Sequence, residues 1–140
     1  MSATPRFGRI LSALVTPFAE DGSVDTAVAA DLARRLVAEG HEGFVVCGTT
    51  GESPTLSDEE KIAMFEAVVG AVDVPVVAGT VGSDTAHSLA LSRRAAEVGV
   101  AGILSLCPYY SRPSQAGIEA HFRAIADAVD LPQIIYDIPI

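Results

Sequence analysis

Hydroxyl-bearing side chains gather in this 140-residue sequence just where short apolar runs end. The first group is Gly48-Thr49-Thr50-Gly51-Glu52-Ser53, the second Pro108-Tyr109-Tyr110-Ser111, and a third run closes on Tyr136-Asp137-Ile138-Pro139. Two glycines flanking two threonines let the backbone come close to a small anion while hydroxyls and amides donate hydrogen bonds, which suits a carboxylate. The Gly-Lys-Ser/Thr ending of a phosphate-binding P-loop is missing. An ordinary tight strand-to-helix turn has the same composition, so the residues alone leave both readings open. All three tyrosines, Tyr109, Tyr110 and Tyr136, fall in such post-strand positions. A phenol, with a pKa of about 10, relays a proton when it belongs to a hydrogen-bonded chain. The same amphipathic ring also serves simply to close the rim of a core.

Other reactive side chains offer less. His41, His87 and His121 are dispersed, with no two at metal-ligand spacing, and are expected as surface or capping histidines. Glu52 is read as a structural carboxylate holding loop amides. The single lysine, Lys61, follows the capping box Ser57-x-x-Glu60 near a helix start, an outer and solvated position unsuited to a covalent nucleophile.

Positioning hydroxyls at strand ends takes a repeating scaffold. Apolar runs at 10–15, 43–47, 74–78, 102–106 and 133–136 recur about every 30 residues, the size of a βα unit. Their two-sided apolar character suits parallel strands. Four helical patterns lie between them. Residues 25–39 place Val28, Leu32, Leu36 and Val37 on one face, and 57–72 bury Ile62, Phe65 and Val69. Residues 84–98 bury Leu89, Leu91 and Ala95 and stop at Gly99, while 115–129 bury Ile118, Phe122, Ile125 and Ala126. Alternating β and α without a Gly-x-Gly-x-x-Gly turn leaves an open doubly wound sheet or a (β/α)8 barrel. A barrel takes about 250 residues and eight strands, so residues 1–140 would be one incomplete barrel domain.

Composition bounds the partners. With 49% apolar and 19% charged residues the chain can bury a core and is not disordered. Its charge of −9 is scattered, which speaks against a nucleic-acid surface. No apolar run approaches the roughly 20 residues of a membrane helix, and the run at 10–15 is too short for a signal-peptide core. Cys47 and Cys107 lie far apart without metal spacing and read as reduced core thiols, so a cytoplasmic location is expected.

Gly48-Thr49-Thr50-Gly51-Glu52, Pro108-Tyr109-Tyr110, Pro113-Ser114-Gln115 and Leu131-Pro132 through Tyr136-Asp137-Ile138-Pro139 follow one another in an order and spacing that resemble the dihydrodipicolinate synthases, also called 4-hydroxy-tetrahydrodipicolinate synthases. The opening Ala13-Leu14-Val15-Thr16-Pro17-Phe18 matches as well, so the resemblance covers essentially the whole chain. The Tyr-Asp-Ile-Pro variant and Asp84-Thr85-Ala86-His87-Ser88 look most like actinobacterial members. The resemblance implies an α/β fold, the N-terminal half of a (β/α)8 barrel with strands one to five and helices one to four. It also implies a lyase that condenses pyruvate with L-aspartate semialdehyde through a Schiff base, without cofactor or metal, on the route to diaminopimelate and lysine. Thr50 matches the residue that holds the pyruvate carboxylate, and Tyr136 the proton donor and acceptor of Schiff-base formation. Thr49 and Tyr110 match its relay partners, Tyr110 reaching in from a neighbouring subunit of a homodimer or homotetramer. Ser53, Pro54, Asp58, Lys61, Ser83, His87 and Tyr109 match the allosteric lysine site. Several of these depart from the histidine, asparagine and glutamate of well-regulated members, so weak or absent lysine inhibition is expected.

The family's Schiff-base lysine lies on a sixth strand and its second-substrate arginine just past Ile140, so the 140 residues alone are expected to be inactive. A related pyruvate-dependent aldolase, of the N-acetylneuraminate lyase or keto-deoxy sugar type, shares the scaffold. A third reading is a non-catalytic half-barrel, whose unpaired first and fifth strands and exposed lining would drive it to assemble.

Overall fold

A computed structural model describes residues 5–138; Pro139, which closes the last motif, lies outside the described residues. Strands and helices alternate: β1 (Leu11–Ala13), α1 (Thr26–Ala38), β2 (Gly43–Val46), α2 (Asp58–Val69), β3 (Val76–Gly79), α3 (Thr85–Val98), β4 (Gly102–Leu106), α4 (Gln115–Ala128) and β5 (Gln133–Tyr136). Each helix starts on a side chain that satisfies its free N–H groups. Asp25 accepts from Val28, Asp84 from Ala86 and His87, and Ser114 from Gly117, while Ser57 and Glu60 close the expected capping box. α3 stops at Gly99, whose φ of 93° suits glycine. α2 stops at Val69, short of the expected 72, because Gly70 caps it and glycine is a poor helix former.

The five strands form one parallel sheet in the order β1-β2-β3-β4-β5, with Leu11 opposite Gly43, Phe44 opposite Val76, Val77 opposite Gly102 and Ile103 opposite Gln133. The order never reverses. A doubly wound sheet must reverse to place helices on both faces, so the sequential order resolves the two architectures in favour of the barrel. Five strands and four helices make up a half-barrel.

The core lies between sheet and helices, where Phe44, Val46, Met64, Phe65, Val68 and Ala95 are completely buried. Every expected helix face differs in part: on α2 Met64 and Val68 are buried beside Phe65 while Ile62 and Val69 are only partly covered, and on α3 Leu91 and Ala95 are buried but Leu89 is not. α1 rests on Ala29 and Ala33, which are fully buried, while Val28 is about half exposed and Leu32, Leu36 and Val37 pack only at the margin. Small side chains let that helix approach its neighbours closely, so the alanines, not the larger residues, make the seam. On α4, Phe122 and Ile125 are buried as expected, but Ala126 is exposed and His121 takes the buried place.

Candidate functional site

The chemistry-bearing loops leave the C-terminal ends of the strands. β2 runs into Cys47, whose φ of 54° turns the chain sharply into Gly48-Thr49-Thr50-Gly51. The Gly48 carbonyl accepts from the N–H groups of Gly51 at 3.1 Å and Ser53 at 3.3 Å, closing the turn on itself. From the loop after β1, the buried Thr16 hydroxyl donates to the Gly51 carbonyl at 2.7 Å. Beneath the turn, β3 ends at Gly79, where a Cβ would fall 2.1 Å from the Cys47 carbonyl oxygen. Only a residue without a side chain fits there. Thr16 and Gly79 were not singled out as site residues by sequence, because one acts through a hydroxyl-to-backbone bond and the other through an absent atom.

This framework holds Thr49 and Thr50 at an exposed tip. Across from them Tyr136 stands at the end of β5, and the three residues line one depression of about 230 Å³ whose wall includes Leu11, Val45 and Leu104. Three of the four sequence-derived catalytic and pyruvate-binding residues therefore converge. Tyr110 does not join them. It is 94% exposed, with a φ of 65°, and lines a separate groove with Arg112, Pro113 and Ile118. Among the described residues the non-glycine positions with positive φ are Cys47, Glu52, Tyr110 and Arg112, all in the loops after β2 and β4. Backbone strain is thus concentrated at the end of the fold that carries the hydroxyls.

A second cavity, of about 670 Å³, opens beside the turn and brings together Ser53, Ser83, His87 and Tyr109 with Asp58 and Lys61. His87 Nε2 lies 2.8 Å from an Asp58 oxygen, and the Asp84 carboxylate accepts from the N–H groups at the start of α3. Lys61 is not the solvated side chain expected from sequence. It is only 5% exposed, because it shares the inward face of α2 with Met64, Phe65 and Val68. The spacing i, i+3, i+4, i+7 from Lys61 to those residues carries that signal in the sequence itself. Burial pushes the Cys47 thiol up to about 12, while the Lys61 ammonium pulls it the other way.

Two other expectations fail. The Glu52 carboxylate is exposed and caps nothing; its backbone carbonyl, instead, accepts from the Thr55 N–H and hydroxyl at 2.9 Å. His121 is neither surface nor cap: it is 4% exposed, shares a 2.8 Å hydrogen bond with Thr85, and burial lowers its affinity for a proton. Among the described residues no group of three His, Cys, Asp or Glu side chains is placed to hold a metal, and no helix is long and apolar enough to cross a membrane.

Comparison with known proteins bears directly on this arrangement. The profile of the dihydrodipicolinate synthetase family matches residues 6–140. The 4-hydroxy-tetrahydrodipicolinate synthase of Symbiobacterium thermophilum is 57% identical over 96% of this chain and 47% of its own length. Among solved structures, a dihydrodipicolinate synthase of Bacillus anthracis superposes with a TM-score of 0.90 at 47% identity, over 93% of this chain and 45% of its own. The enzyme of Cyanidioschyzon merolae with lysine bound does so with a TM-score of 0.93 at 44% identity, over 96% and 47% respectively. The chain thus spans about half the length of the relatives it matches.

Proposed function

The chain belongs to the dihydrodipicolinate synthetase family, and from that premise we propose that it supplies the pyruvate-binding part of a 4-hydroxy-tetrahydrodipicolinate synthase. The observation that carries the reading is the convergence of Thr49, Thr50 and Tyr136 on one depression at the strand ends. Thr50 holds the pyruvate carboxylate through hydroxyl and amide hydrogen bonds, which orients the ketone toward the barrel axis. A lysine from the remaining strands attacks that ketone to give a carbinolamine, and loss of water gives the Schiff base. Tyr136 gives and takes the protons of those steps, with Thr49 behind it. A chain of hydroxyls moves protons without leaving a full charge in the cavity. L-aspartate semialdehyde is the second substrate.

The exposed, strained Tyr110 fits a side chain that completes the relay in a neighbouring subunit, so catalysis is assigned to a homodimer or homotetramer of the cytoplasm. Ser53, Ser83, His87 and Tyr109 form the matching regulatory cavity. Lysine inhibition there is weak or absent, because the Lys61 ammonium already lies in the cavity and repels a second one.

The test uses a polypeptide carrying these residues and the remaining strands. Borohydride reduction with pyruvate should trap an adduct on a lysine beyond residue 140, and the 140-residue chain should show no mass gain. Tyr136→Phe should slow turnover by about 10²–10⁴-fold, while Thr50→Val should mainly raise KM for pyruvate. Equal rates for wild type and both variants would sink the assignment. Turnover with N-acetylneuraminate or a keto-deoxy sugar in place of aspartate semialdehyde would move it to a related aldolase.

A further inference from the structure

The proton steps make no direct use of His121, yet the fold buries it on the inward face of α4 beside Phe122 and Ile125. An imidazole there is less favourable than a leucine unless its polar atoms are used. Nδ1 is used: the hydroxyl of Thr85, the first residue of α3, lies 2.8 Å away. That bond ties α3 to α4 and accounts for one nitrogen. Nε2 is buried too and, among the described residues, has no hydrogen-bond partner. Burial drives the proton off the ring, and the Leu106 backbone opposes that loss. A backbone group that favours a proton is a carbonyl. Leu106 ends β4 opposite Tyr136, and the next N–H, that of Cys107, donates to the Tyr136 carbonyl at 3.0 Å. The Leu106 carbonyl and the Cys107 N–H belong to one planar peptide unit and point opposite ways. With the N–H turned toward β5, the carbonyl faces the β3 side. There β3 pairs only as far as Gly79 opposite Leu104 and offers it no strand partner.

We propose that His121 is a positioning residue for Tyr136, acting through the Leu106–Cys107 peptide unit. A neutral imidazole offers one donor and one acceptor. The Thr85 hydroxyl donates to Nδ1, which leaves the proton on Nε2, aimed at the Leu106 carbonyl. Nε2 stops short of a closed hydrogen bond, as contacts around a catalytic site do before substrate tightens them. Held by His121 at its carbonyl and by Tyr136 at its N–H, the peptide unit cannot turn, and the end of β5 keeps its register with β4. The same peptide is the root of the loop that carries Tyr109 and Tyr110, so both relay tyrosines are fixed from one point. A tie between helices alone needs only Nδ1, and an apolar ring fills the same space without leaving a buried nitrogen unmet. The role rests on the assignment of Tyr136 to the proton steps.

The test compares variants of the polypeptide that carries the remaining strands. His121→Gln places an amide N–H near the position of Nε2, His121→Asn near that of Nδ1, and His121→Phe keeps a ring with neither. Hydrogen exchange at the Cys107 amide reads the peptide directly, with the buried Val77 of β3 as the control for global opening. Exchange at Cys107 should be as slow in His121→Gln as in wild type, and about tenfold faster or more in His121→Asn and His121→Phe while Val77 changes little. Turnover should follow the same order, falling about tenfold or more in His121→Asn and His121→Phe. KM for pyruvate should stay unchanged, because Thr50 sits on another loop, and His121→Gln should keep most of the rate. Wild-type exchange at Cys107 in His121→Phe, equal acceleration at Cys107 and Val77, or a His121→Gln as impaired as His121→Phe would overturn the proposal. A wild type that traps no pyruvate would end the catalytic reading alone, and the exchange rates would still decide whether His121 holds the peptide.

Discussion

The two faces of the sheet are built to different standards. On the helix side, Phe44, Val46, Met64, Phe65 and Val68 are wholly buried and interlocked with Ala29, Ala33 and Ala95. On the inner side, Leu11, Val45 and Leu104 are only partly covered, and Tyr136 on β5 is 37% exposed. One face is a finished core; the other is a lining with hydroxyls at its upper end. The contrast teaches that stability and chemistry are lodged in different layers of the same strands. Residues alternate between the two layers along each strand, so a strand can hold its packing constant while the lining is committed to a site.

Substitutions can break that contrast or sharpen it. The largest effect should come from the helix side, where Phe65→Ala costs about 3–5 kcal/mol. Leu104→Ala on the lining should cost roughly 1 kcal/mol; urea midpoints of the two variants test the difference, and equal losses would mean that the inner face carries as much of the core. The two thiols report the same division. Burial pushes Cys47 up to about 12, about a thousandfold less thiolate than an ordinary thiol at a given pH, while Cys107 is only half-buried. Timed alkylation of the native protein at pH 8 should therefore modify Cys107 first and Cys47 only as the chain unfolds.

A smaller effect is expected where the layers meet. Gly79→Ala places a methyl group against the Cys47 carbonyl and should cost about 1–3 kcal/mol while displacing the Thr49–Thr50 turn; amide shifts confined to residues 47–53 would confirm it. The smallest concerns pH. His121 is held deprotonated by burial, partly opposed by the Leu106 backbone. Between its lowered pKa and the ordinary 6.5 the unfolded chain binds more protons than the fold, so stability falls as pH drops below about 6.5. Urea midpoints at pH 7.5 and 5.5 should converge in His121→Gln relative to wild type; an unchanged gap would remove His121 as the cause.

Much of this was legible in the sequence. The periodic runs located every strand and helix to within a few residues, since apolar alternation and caps such as Ser57 with Glu60 are local signals. Gly99 announced its helix end for the same reason. The Thr49-Thr50 turn and Tyr136 stand out in the sequence because strand ends are where α/β folds place ligands, and the three residues line one depression. What escaped depends on neighbours distant in sequence. The alanine seam of α1 needs the partner helix to reveal it, and Gly79 needs the Cys47 carbonyl. Lys61 was misjudged because a charged residue outweighed its helical spacing, although that spacing with Met64, Phe65 and Val68 was there to count. Tyr110, expected to act in a neighbouring subunit, stands exposed and apart from Thr49, Thr50 and Tyr136 in its own chain.

The unbroken order of the strands has a consequence for how the molecule comes into being. Leu11 pairs with Gly43, Phe44 with Val76 and Ile103 with Gln133, so each new strand docks on the one made about 30 residues earlier. During synthesis a chain with this topology can lay down its wall in the order in which it leaves the ribosome, each βα unit offering the emerging one a template. Its leading edge is always the newest strand.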